Sequence, residues 1–112
     1  MKKNKKVYLQ DILDSINSIR AYVYEKDFAD FEGNTLLQDA VVRRLEIMGE
    51  AVKKIDSAVK NKYPNVKWRE IAGMRDVLIH DYFGVNLKRV WNVIVNELDD
   101  LKIQIENILK EM

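Results

Sequence analysis

Apolar residues return every three or four positions along nearly the whole chain, and no other feature constrains its fold as strongly. Leu9, Ile12, Leu13, Ile16, Ile19 and Val23 mark a first amphipathic helix over about residues 7–26. Leu37, Val41, Leu45, Met48, Val52, Ile55 and Val59 mark a second over about 35–61, close to a coiled-coil seam. Ile71, Met74 and Leu78, with Trp68 alongside, predict a third over about 67–80. Leu87, Trp91, Ile94, Leu98, Leu101, Ile105, Ile108 and Met112 predict a last one over about 87–111. No stretch alternates like a strand and no repeat is evident. The expected fold is all-α, an up-and-down bundle of four to five helices with one long antiparallel pair.

The breaks have their own chemistry. Asp27 to Asn34 interrupts the pattern, with Gly33-Asn34 as a turn signal and Asn34 or Thr35 as an N-cap. Phe28 and Phe31 should pin this break to the core. Tyr63-Pro64-Asn65 ends the second helix, because proline cannot continue it. Phe83-Gly84-Val85-Asn86 separates the last two, with Asn86 able to cap. Gly49 lies inside a helix at a cost of about 1 kcal/mol relative to alanine, which a close helix–helix approach would offset.

At 112 residues the chain fits a single domain over 1–112. Its 47% apolar and 33% charged residues are those of a folded, charge-coated protein rather than a disordered one. No apolar run approaches the ~20 residues that cross a bilayer, and the basic start Lys2-Lys3-Asn4-Lys5-Lys6 leads into amphipathic sequence rather than a secretion signal. Residues 1–6 are expected to form a flexible basic tail, and the chain to be cytoplasmic with no membrane partner. The absence of cysteine excludes disulfides, thiol nucleophiles and thiolate metal sites. A net charge of +1 excludes a broad electrostatic grip on nucleic acid, so any RNA contact must be local.

Such a contact has one obvious place. The only histidine lies in Arg75-Asp76-Val77-Leu78-Ile79-His80-Asp81-Tyr82. On an unbroken helix Arg75 and His80 would diverge by about 140°, so they do not form a helix-borne metal pair. Convergence requires His80 at or beyond the helix end, with Tyr82 two residues further on an extended segment sharing its side. An imidazole can exchange protons near neutral pH and a guanidinium can hold phosphoryl oxygens. Together they suit RNA cleavage without a metal. One histidine leaves a second acid–base group missing, which a symmetric dimer would supply. The spacing alone equally fits a histidine that only caps a helix end.

The segment resembles the HEPN superfamily, and within it the HepT-type toxins. The HEPN pattern of arginine, a polar residue and a histidine after four to six intervening positions reads here as Arg75, Asp76 and His80. The HepT extension to a tyrosine is matched by Asp81-Tyr82. Leu45-Glu46-Ile47-Met48-Gly49-Glu50-Ala51 and Trp68-Arg69-Glu70-Ile71-Ala72-Gly73-Met74 also look like HepT, and the resemblance covers nearly the whole chain. It implies a homodimer whose paired motifs form a metal-independent ribonuclease site, with Arg75 and His80 catalytic and Asp76 and Tyr82 supporting. It further implies an MNT-type nucleotidyltransferase antitoxin that transfers AMP from ATP onto Tyr82. ATP would belong to that partner, and the chain itself would need no cofactor. Cellular RNA, with tRNA a candidate, would be the substrate. The other reading is a non-catalytic helical subunit that docks a nucleotidyltransferase or presents its substrate.

Remaining candidates have plainer explanations beside them. Glu46 and Glu50, one turn apart, could line the cleft or form surface ion pairs with Arg43, Lys53 or Lys54. Trp68 and Trp91 at helical spacing read as core rather than base-stacking residues. Asp99-Asp100 reads as a solvated face. No phosphate-binding glycine loop, zinc-ligand cluster or Ser-His-Asp set is present.

Overall fold

The four helical stretches read from the spacing are all realised in the computed structural model, which describes residues 5–80 and 86–112, and the side chains of 6–74 and 86–112. Seven helical segments result among the described residues: α1 (Lys5–Tyr22), α2 (Phe28–Glu32), α3 (Thr35–Lys54), α4 (Ser57–Lys62), α5 (Trp68–His80), α6 (Leu87–Asn96) and α7 (Leu98–Glu111). They contain no strand. The count exceeds five because two long helices are interrupted and the first break holds a short helix of its own.

Each departure has a local cause. The first helix stops at Tyr22 rather than near 26, because the chain turns through Glu25 at φ 57, a left-handed conformation. Asp27 then caps α2, accepting from the Asp30 amide while the Asp30 carboxylate accepts from the Asp27 amide, a reciprocal capping box. The second helix breaks at Ile55, whose ψ of 132 is extended. A seam repeating every 3.5 residues drifts by about 20° per heptad on a straight helix; the break re-phases it, so that Ile55 and Val59 stay buried. At Glu97 the last helix is interrupted: the Glu97 amide bonds the Val93 carbonyl to close α6, and its own carbonyl accepts from Leu101 to open α7. Asn34 and Asn86 cap α3 and α6 as expected, accepting from the Leu37 and Arg89 amides.

α3 is the central element and packs against both α1 and α5. On the far side α1 meets α7, α7 meets α6, and α2 bridges α3 and α6. Arg20 near the end of α1 pairs with Asp99 at the start of α7 at 3.3 Å, so these two packed helices run antiparallel. The predicted stripes are the observed core: Leu9, Ile12, Ile16 and Ile19 of α1 are fully buried, as are Val41 and Val52 of α3 and Ile105 of α7. Gly49 is buried on α3. Phe31 is fully buried with its ring 5.4 Å from Trp91, and Phe28 meets the same indole at 6.3 Å. The two phenylalanines thus anchor the first break to the last helical stretch. None of the described helices is long and apolar enough to cross a membrane. The basic tail expected over 1–6 falls mostly outside the described residues.

Candidate active site

The start of α5 is fastened at several points. Trp68 is buried, its backbone amide bonds the Val66 carbonyl at 2.9 Å, and its indole N–H donates to the Tyr63 carbonyl at 3.0 Å. Gln104 of α7 donates to the Asn65 carbonyl at 3.2 Å. Glu70 in the first turn complements the positive end of the helix dipole. From there the helix runs through His80, the last described residue before 86. Both tryptophans serve packing, as their spacing implied.

Helical register then fixes how the motif is distributed. At about 100° per residue, Arg75 lies within about 40° of Ile71, the buried residue that packs α5 into the domain. His80 lies nearly opposite Ile71, and within about 20° of Gly73 two turns earlier. Asp76 precedes His80 by four positions and so shares its face. Arginine and histidine therefore start from different sides of one helix, about 140° apart as the sequence indicated. Tyr82 and the break over 83–85 lie outside the described residues, as do the side chains of Arg75, Asp76 and His80.

The two sides of α5 differ in chemistry. On the packed side, a cleft of about 220 Å³ lies between α5 and the α6–α7 bend. Met48, Ile71, Met74 and Leu101 contribute apolar surface, while Lys67, Glu70, Glu97 and Asp100 are the charged residues lining it. Three carboxylates against one ammonium make it a poor place for a phosphate. On the opposite side, a Cβ built on Gly73 would meet nothing within 4 Å. Glu46 pairs with Arg43 at 3.6 Å and Glu50 with Lys54 at 4.0 Å, ion pairs that their spacing allowed. Among the described residues no group of three or more His, Cys, Asp or Glu is placed to hold a metal ion. Arg69 and Gly73, which share the face of His80, were legible only as part of a flanking segment; their common register with the histidine is the signal that singles them out.

A family profile described as "Ribonuclease HepT-like" matches residues 12–108. The chain is 44% identical over its full length to "Gamma-glutamylcyclotransferase and putative RNase MJ0434" of Methanocaldococcus jannaschii, of which it spans half. It is 40% identical over 111 residues to "Putative RNase MJ0125" of the same organism, covering 99% of this chain and 96% of that one. It is 42% identical over 110 residues to "Probable ribonuclease HepT" of Thermococcus cleftensis, covering 98% of this chain and all of that one. No solved structure matches it. With the motif at the end of α5, an all-helical fold and matches of this extent, the chain belongs to the ribonuclease HepT-like family.

Proposed function

We propose that the chain is the toxin of a two-component toxin–antitoxin pair, a metal-independent endoribonuclease that acts on cellular RNA in the cytoplasm. Membership of the ribonuclease HepT-like family over residues 12–108, with Arg75, Asp76, His80 and Tyr82 all in place, is the observation that carries this reading. His80 takes the proton of a ribose 2′-hydroxyl, the freed oxygen attacks the adjacent phosphorus, and the 5′-oxygen leaves with a proton from an imidazolium. The products are a 2′,3′-cyclic phosphate and a 5′-hydroxyl. Arg75 stabilises the charge on the phosphoryl oxygens. Asp76, one turn before His80 on the same face, orients that imidazole rather than Arg75. The second histidine comes from a second copy, because the proton donor and acceptor act at once and each chain has one. tRNA is the first substrate class to try.

Tyr82 is the regulatory residue. A nucleotidyltransferase antitoxin transfers AMP from ATP to its phenolic oxygen, pyrophosphate leaves, and the new phosphodiester puts bulk and negative charge where substrate phosphate should sit. Mass measurement of the chain after incubation with that partner and ATP tests the modification. Cleavage is tested by incubating purified chain with total tRNA in excess chelator. Fragments from the wild type and a loss of ~10²-fold or more in His80→Ala support the enzyme. Intact RNA under every condition leaves the docking subunit as the correct reading.

A further inference from the structure

Gly73 poses a physical question that the chain alone does not answer. A glycine inside a helix costs about 1 kcal/mol relative to alanine. Inside a domain the usual return is room for a neighbouring element, yet a methyl group at Gly73 would enter open space. Among the described residues no packing contact requires the glycine, which leaves the bare backbone free to meet something from outside.

The neighbours on that face indicate what it is. Arg69, Gly73, Asp76 and His80 follow one another at steps of four, three and four, so they form one stripe along α5. Arg69 is exposed and, among the described residues, makes no ion pair. The stripe therefore offers an unneutralised guanidinium, a flat segment of helix without a side chain, and then the register of the acid–histidine pair. It spans about 16 Å from Arg69 to His80, room for two to three nucleotides of a single strand. The opposite side of the helix has the three-carboxylate cleft, which repels phosphate.

We infer that Arg69 and Gly73 form a substrate track: Arg69 holds a phosphate of the RNA strand, the strand crosses the bare helix at Gly73, and it delivers a ribose to His80. The inference rests on the ribonuclease reading and assigns two positioning residues to it. Asp76 adds one negative charge in the register of the track, four positions before the histidine.

The test measures binding apart from cleavage, in a His80→Ala background, by fluorescence anisotropy of a labelled single-stranded RNA at several salt concentrations. Arg69→Gln should weaken binding several-fold and make the slope of log affinity against log salt shallower by roughly 0.7, the value for one lost phosphate contact to a single strand. Gly73→Leu should weaken binding roughly tenfold with an unchanged solution mass. Gly73→Ala should still fold, with a raised thermal midpoint, because the chain itself has room for the methyl group. An unchanged slope in Arg69→Gln overturns the track. So does a Gly73→Leu that keeps RNA affinity but changes solution mass, which would assign the bare face to a second copy. Failure of the wild type to cleave would sink the ribonuclease reading alone, provided the binding effects remain.

Discussion

Arg75 and His80 stand five residues apart on one uninterrupted helical backbone, so their positions diverge by about 140° around α5. Arg75 shares the register of the buried Ile71, and His80 that of the unencumbered Gly73. A guanidinium and an imidazole launched from opposite sides meet more readily across two copies of the helix than within one. This divergence, beside the single histidine per chain, supports the proposal of a site shared by two copies.

The register also separates the two roles open to Asp76. Its i, i+4 relation to His80 leads to a pH effect as well as a rate effect. Asp76→Asn should lower cleavage by about tenfold or more, and the limb of the pH–rate profile set by His80 should move to lower pH, since the imidazolium loses a neighbouring anion. A lowered rate with an unmoved limb would assign Asp76 to Arg75.

Ser15 tests the core. It is fully buried on α1, and among the described residues its hydroxyl has no hydrogen-bond partner. A buried hydroxyl left unpaired costs about 1–3 kcal/mol. Ser15→Ala removes that cost for the loss of one oxygen, so chemical denaturation should show a gain of about 1 kcal/mol. A loss of stability would mean that the hydroxyl is satisfied.

Phe31 is the anchor of the short α2 against Trp91. Phe31→Ala should cost about 3–5 kcal/mol in denaturant unfolding, from lost burial and the cavity that remains. A cost below 1 kcal/mol would show that α2 is not fastened to the core in this way.

Tyr63 gives the alkaline limit. Its hydroxyl donates to the Glu111 carboxylate, and that hydrogen bond, some desolvation and the nearby negative charge raise its pKa above 10.0. A raised folded pKa means the folded state retains the proton longer. The stabilisation is therefore complete below the unfolded value and lost as pH climbs through the folded one. Wild type should lose more stability than Tyr63→Phe as pH climbs past the ordinary tyrosine value of about 10, while near neutrality neither depends on pH through this group. Parallel curves throughout would contradict the linkage.

The helices were legible because burial imposes a 3.6-residue period that Leu9, Ile12, Ile16 and Ile19 and Leu37 to Val52 follow. Caps at Asn34 and Asn86 were equally readable, since a short amide side chain before an apolar run has few better uses. The bends at Ile55 and Glu97 were not. Neither carries proline or glycine, and both keep the apolar spacing intact, so the period that reveals a helix also conceals its interruption. The end of α1 was overrun for a related reason: Glu25 adopts φ 57 without the glycine that usually announces that turn. At the site, the motif residues and their divergence could be read directly from spacing. The open face at Gly73 could not, because a bare helix surface is a property of what lies opposite it.

The most direct measurement of the shared site is RNA cleavage by a dimer in which one copy is altered. Arg75→Ala and His80→Ala are each expected to lose RNA cleavage. The decisive form of the test pairs wild type with His80→Ala, each carrying a different affinity tag and purified through both. Because the site draws one imidazole from each copy, these mixed dimers should lose RNA cleavage by ~10²-fold or more. Mixed dimers that keep about half of the wild-type activity, at a solution mass that confirms the pairing, would contradict a site built between two chains.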